Sequence, residues 1–262
     1  MTDTGKDSAG AQPDGETIIS LHAGYEHNGV FTDAFLARPA DASGPRPGVV
    51  LLSGMHGLSW TQREITRRYA RAGFVALSPD YMGGQHPESH SKALLAKNSL
   101  DVAPVVDALA GGAAFLRSLP WVGAQGKVGI MGFCLGGGLV LLACARTDVF
   151  DAGIVYHHSL FPDMRELAGI GCKLQCHNGT ADHSTPRDEV EAFTRELDRL
   201  GKPYELHWYE GMPHSFAQIA TDADVPPARR AASDLSYRRS FEFFHRELGG
   251  GTATAGKVAA AQ

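Results

Sequence analysis

Three residues in this 262-residue chain have the types and the order needed for nucleophilic attack on a carbonyl: Cys134, Asp182 and His214. Cys134 sits at the centre of Gly132-Phe133-Cys134-Leu135-Gly136, between the short apolar run Val128–Met131 and an apolar segment that continues through Leu139 to Ala145. That pattern reads as strand, sharp turn and helix, with the side chain at the turn raised above the sheet edge and small residues flanking it. Taken alone, a cysteine in apolar surroundings is more often a small hydrophobe than a reagent. The start of a helix changes that balance, because its unpaired N–H groups and its dipole favour a thiolate. The N–H of Leu135 is also free to face an oxyanion formed during acyl transfer.

A thiol nucleophile needs a base, and the base needs a carboxylate to orient it. On a sheet of alternating strands and helices, both belong on loops after later strands, in the order nucleophile, acid, histidine. The loop His177-Asn-Gly-Thr-Ala-Asp182 follows an apolar run at 173–176, and Glu210-Gly-Met-Pro-His214 follows another at 204–209. Separately, Asp182 fits a turn or cap residue, and His214 is one of 12 histidines. Together, the three residue types in one order after three strands match the roles such a site requires.

The rest of the chain supplies the frame. Residues 17–24 and 30–38 are strand-like and flank Asn28-Gly29, a hairpin signal. Strands are expected at 48–53, 74–80, 152–156, 173–176 and 204–209, and helices at 61–72, 102–119, 186–200 and 228–248. Residues 81–91 read as a loop rich in Gly, His and Pro, and 157–171 as a variable stretch. Alternation of this kind implies an α/β fold, with a mainly parallel sheet covered by helices on both faces. One domain is expected over 16–248, with mobile tails at 1–15 and 249–262.

Composition narrows the function further. Hydrophobic residues make up 43% of the chain, charged residues 20%, and the net charge is −5. Nothing there draws the protein to nucleic acid or to an anionic membrane. No run of 18 or more apolar residues is present, and the N-terminus lacks the apolar core of a signal peptide. Four cysteines form no small-domain disulfide framework, which suits a reducing cytoplasm, and Cys172 and Cys176 read as thiols buried in a strand. No histidine–carboxylate spacing suggests a metal, and no cofactor is expected. The pairs Arg67-Arg68, Arg229-Arg230 and Arg238-Arg239 read as solvated helix faces. A monomer or small homo-oligomer is expected, and the sequence does not choose between them.

The segments G-F-C-L-G-G-G, N-G-T-A-D, P-H-S-F-A and V-A-L-S-P-D resemble the dienelactone hydrolase family of α/β-hydrolases, over residues 17 to 247. The resemblance implies the α/β-hydrolase fold, with Cys134 as nucleophile, His214 as base and then acid, and Asp182 as its orienter. It also implies an oxyanion hole from the backbone N–H groups of Leu135 and Met55. Members of that family carry a Glu that meets the resting thiol, and Gly54 stands at that position here. Two arginines that bind the dienelactone carboxylate are also absent from the matching segments, 81–84 and 215–218. Direct activation of Cys134 by His214 is therefore expected, with a neutral lactone or small carboxylic ester as substrate instead of dienelactone itself. The expected pocket rim comprises His56, Trp60, Tyr81, Met82, His157, His158 and Phe161. Two other readings use the same residues: acyl transfer to an alcohol or amine, and a non-catalytic ligand-binding or redox-sensing protein. Slow attack of the thiol on phosphotriesters is chemically conceivable.

Overall fold

Asn28 and Gly29 both adopt left-handed backbone angles, φ 49° and 76°, as a two-residue turn between twisted antiparallel strands requires. They join β1 (Ile18–His27) to β2 (Val30–Pro39), paired in register from Ile18–Pro39 to His27–Val30. The structure, a computed structural model, describes residues 17–41, 44–85, 87, 89–160, 162–219 and 225–249. The tail expected at 1–15, all but the first residue of the tail expected at 249–262, and Phe161 lie outside the described residues.

After the hairpin come β3 (Gly48–Leu52), α1 (Trp60–Arg71), β4 (Val75–Pro79), α2 (His90–Asn98), α3 (Val102–Ser118), β5 (Val128–Phe133) and α4 (Leu135–Arg146). The chain continues through β6 (Ala152–Tyr156), a short 3₁₀ turn at Met164–Gly169, β7 (Lys173–Gly179), α5 (Arg187–Arg199), β8 (Tyr204–Tyr209) and α6 (Pro227–Leu248). The strands form one eight-stranded sheet in the order β1-β2-β4-β3-β5-β6-β7-β8. Among the described residues only the β1–β2 and β2–β4 pairs are antiparallel. From β4 through β8 every pair is parallel.

The continuous apolar run at β3 is explained by burial on both faces. Val50 and Leu52 join the core beneath α3, α4 and α5, whereas Val49 and Leu51 join the core under α1 and α6. β5 divides in the same way, with Ile130 on the first side and Met131 and Phe133 on the second. Each such side chain contributes about 1.5–3 kcal/mol by leaving water, so a one-residue slip of either strand would be opposed by both cores.

One element departs from the expected pattern. Residues 90–98 form α2, capped by Ser89, whose side chain accepts the N–H of Lys92. Its apolar residues Ala93, Leu94, Leu95 and Ala96 are consecutive and mark no single helical face, so periodicity does not reveal it.

Candidate active site

Cys134 occupies the junction of β5 and α4 with φ 55° and ψ −115°, a conformation L-residues rarely adopt. Such backbone strain costs about 1–3 kcal/mol and must be held by its surroundings. The Cys134 N–H donates to the Tyr156 carbonyl at 3.0 Å, and the Cys134 carbonyl accepts the N–H of Ser159 at 3.0 Å. The flanking glycines allow the turn to close. A Cβ on Gly132 would lie 2.3 Å from the Gly136 carbonyl oxygen, and one on Gly136 would lie 2.3 Å from the Ser53 carbonyl oxygen. The turn can therefore form only where both side chains are absent.

The loops after β7 and β8 bring the two partners to this sulfur. They are laced together by Gly211 N–H to Thr180 Oγ1 at 2.8 Å and Ala181 N–H to the Met212 carbonyl at 3.1 Å. Asp182 Oδ2 lies 2.8 Å from His214 Nδ1, and Asp182 Oδ1 accepts the N–H groups of Ser184 and Thr185 at 2.8 and 3.0 Å. Asp182 is thus both the turn residue its position suggests and a fully committed partner of the imidazole. His214 in turn interacts with the Cys134 thiol, lowering the pKa of the thiol and raising its own.

The electrostatics follow from these contacts. Burial opposes ionisation of Cys134, but the hydrogen bond and charge of His214, the Ser159 hydroxyl and the Leu135 N–H together hold the thiol below its ordinary range. Burial likewise opposes the His214 cation, yet Asp182 and the sulfur push its pKa up to about 9. Burial also works against the Asp182 carboxylate, and His214 with the two loop N–H groups keeps it below the usual range. A buried thiolate beside an imidazolium can attack a carbonyl and then return a proton to the leaving group. The Leu135 N–H, which helps to lower the thiol pKa, is a donor of the kind that can bind an oxyanion.

Other expected residues fall in different places. Met55 is half-buried in the loop after β3, which Tyr81 holds by donating its hydroxyl to the carbonyls of Ser53 and Gly54, at 2.8 and 3.1 Å. Tyr81 is buried, and so is Met82. His56 is exposed and Trp60 is 59% exposed. His157 is fully buried, packed edge-on against the His214 ring at 4.4 Å, and burial drives its pKa down to about 3, so it stays neutral. His158 is also fully buried and packs on Phe193, with its pKa lowered by burial to about 4. Cys172 and Cys176 are buried free thiols. Gly54 lies directly beside Cys134, since a Cβ there would be 3.6 Å from Cys134 Cβ.

Three contacts escape pattern reading. Arg229 donates to the carbonyls of Ser215 and Phe216 at 2.9 and 3.2 Å. It therefore clamps the loop after His214, where Ser215 has φ 59°, instead of lying on a solvated face. Ser159 Oγ lies 3.2 Å from Cys134 Sγ, and Lys97 Nζ reaches the same hydroxyl at 3.2 Å. Hydroxyl and ammonium groups near a site are too common in sequence to single these out, and Lys97 rides on the helix that periodicity does not show.

A mainly parallel sheet ending in an antiparallel hairpin, with a nucleophile-type elbow after a central strand, defines an α/β-hydrolase. A crystal structure from Klebsiella pneumoniae subsp. pneumoniae shares this fold, with TM-score 0.80 at 21% identity over 88% of this chain and 100% of that one. The model of the dienelactone hydrolase family matches residues 32–248, and the chain belongs to that family of ester and lactone hydrolases. Among its relatives is the carboxymethylenebutenolidase of Pseudomonas putida, 26% identical over 77% of this chain and 87% of that protein. Another is the "Probable 2-oxo-3-(5-oxofuran-2-ylidene)propanoate lactonase" of Bradyrhizobium sp., 29% identical over 83% of this chain and 92% of that protein.

Proposed function

We propose that this chain hydrolyses a small carboxylic ester or lactone through a thioester on Cys134, with His214 and Asp182 completing the catalytic set. The observation that carries this reading is the Asp182–His214 contact at 2.8 Å, with the imidazole electrostatically coupled to a sulfur held on a strained elbow. In the first half-reaction the substrate carbonyl lies against the N–H groups of Leu135 and Met55. The thiolate adds to it, and the tetrahedral intermediate collapses as the His214 imidazolium protonates the leaving alkoxide. Neutral His214 then takes a proton from water, the hydroxide adds to the thioester, and the acid departs as Cys134 returns to thiolate.

The relatives' names point to lactones that carry a carboxylate. This chain lacks arginine in the two segments where the family binds that group. A carboxylate buried without a cation is costly, so we assign it a neutral lactone or ester. The test is a panel of neutral aryl esters, neutral lactones and carboxylate-bearing dienelactone against wild type and Cys134→Ala. Turnover of the neutral compounds is expected, lost in the variant. Undiminished turnover by Cys134→Ala would refute the nucleophile assignment, and a preference for dienelactone would refute the substrate assignment.

A further inference from the structure

The sulfur of Cys134 has a second hydrogen-bonding neighbour that the acid–base pair does not use. Ser159 follows β6, and its backbone N–H is fixed on the Cys134 carbonyl at 3.0 Å, which sets the hydroxyl 3.2 Å from Sγ. Lys97, in the last turn of α2, places its ammonium 3.2 Å from that hydroxyl oxygen and 3.1 Å from the Ser159 carbonyl. An ammonium can only donate. It therefore occupies a lone pair of Ser159 Oγ and leaves the hydroxyl hydrogen for another acceptor, which the sulfur supplies.

We infer that Lys97 and Ser159 form a directed relay, Lys97 Nζ–H to Ser159 Oγ–H to Cys134 Sγ, that stabilises the thiolate of the free enzyme. This rests on the reading of Cys134 as nucleophile and adds to it the residue that sets its resting charge. No bond changes in the relay. When Cys134 ionises, its proton goes to His214, while Lys97 and Ser159 keep theirs. The charged and titratable groups around the sulfur are His214 with Asp182 behind it, the Tyr81 hydroxyl, neutral His157 beside His214, and Lys97 through Ser159. A carboxylate beside the thiol would raise its pKa, and Gly54, whose Cβ would lie 3.6 Å from Cys134 Cβ, offers none. A cationic relay acts in the opposite direction and keeps the sulfur anionic before substrate arrives. Ser159 touches the reacting atom, whereas Lys97 is a positioning residue.

The test is the rate of iodoacetamide alkylation of Cys134 in the full-length protein, followed by mass spectrometry of its peptide from about pH 5 to about pH 10. Ser159→Ala is expected to raise the apparent pKa of Cys134 by about one pH unit and so to slow alkylation roughly tenfold at pH values below that pKa. Lys97→Met should move it in the same direction, Lys97→Arg should keep it near wild type, and Lys97→Met should add nothing in a Ser159→Ala background. Circular dichroism excludes unfolding, and Ser159→Thr retains the hydroxyl if Ser159→Ala does not fold. An equal Lys97→Met effect with and without Ser159 would overturn the relay in favour of a through-space charge. An unchanged titration accompanied by a raised KM for carboxylate-bearing esters alone would overturn it in favour of substrate anchoring. The same assay on His214→Gln separates the two levels. A shift there with none from Lys97 and Ser159 sinks only the relay, and no shift there sinks the underlying reading.

Discussion

Replacing Asp182 with Asn tests how the site sets its proton. Both carboxylate oxygens are engaged, Oδ1 by the N–H groups of Ser184 and Thr185 and Oδ2 by His214 Nδ1. Asparagine has one acceptor oxygen. Turning its NH₂ toward the loop would leave two N–H donors facing a donor, at about 1–3 kcal/mol for the buried one on Thr185. The oxygen therefore stays with the loop, and the NH₂ faces the imidazole. His214 Nδ1 must then accept, so its proton moves to the nitrogen facing Cys134, and the ring can no longer take a proton from the thiol. The rise of the His214 pKa from 6.5 to about 9 corresponds to roughly 3 kcal/mol, the net of burial, which opposes the cation, and of the interactions with Asp182 and Cys134 that outweigh it. With the side chain of Asp182 wholly buried, its part of that interaction escapes solvent screening. Asp182→Asn should lower kcat/KM for a neutral ester by about 10³–10⁴, while the protein remains folded. The assay is the pH profile of kcat/KM for an alkyl ester, with Cys134 alkylation measured in parallel. A loss below about tenfold, with the alkaline limb unmoved, would refute the tautomer argument.

Three further outcomes follow from the same geometry. The folded pKa of His214 is raised, so its proton is held through neutral pH and lost as pH rises through about 9. Acylation by alkyl esters should fall through that range, whereas p-nitrophenyl esters, whose leaving group needs no proton, should lack that limb in the pH–rate profile. Gly54→Glu should fold, because its Cβ meets Cys134 Cβ, Gln218 Nε2 and the Phe133 carbonyl oxygen at 3.6–3.8 Å. Its carboxylate should raise the thiol pKa and slow alkylation about tenfold at pH values below that pKa, and an unchanged rate would show that the side chain points away from the sulfur. Arg229→Met removes the clamp on Ser215 and Phe216. It should cost about 1–3 kcal/mol in denaturant unfolding and lower kcat more than it raises KM; intact stability would show that the loop holds itself.

The elements that strand and helix periodicity define were legible because local chemistry and tertiary packing agree. Asn28-Gly29 turns the hairpin, Gly132 and Gly136 admit the elbow, and the doubly apolar β3 is buried on both faces. Cys134, Asp182 and His214 were legible for a related reason: each ends a strand or follows one, so topology brings them together. The pocket surroundings were not. His157 looks like a rim residue in sequence, yet it lies behind His214, because the chain turns inward at φ 33°. Tyr81 gives its hydroxyl to the backbone of the loop after β3. Lys97 and Arg229 act on carbonyls and a hydroxyl far away in sequence, 62 residues distant for Lys97 and 13 to 14 for Arg229, and no spacing rule marks such contacts. Arg68 makes the same point, stacking on Tyr237 at 3.8 Å while pairing with Asp234.

The central claim is a covalent bond between Cys134 and the acyl group, and rapid acid quench of the protein with a slowly hydrolysed aryl ester measures it directly. Intact-mass and peptide spectrometry should show one acyl group on the Cys134 peptide, formed at the rate of the product burst and absent from Cys134→Ala. Steady turnover with no adduct on that peptide, or an adduct on another residue that decays at the turnover rate, would contradict the account.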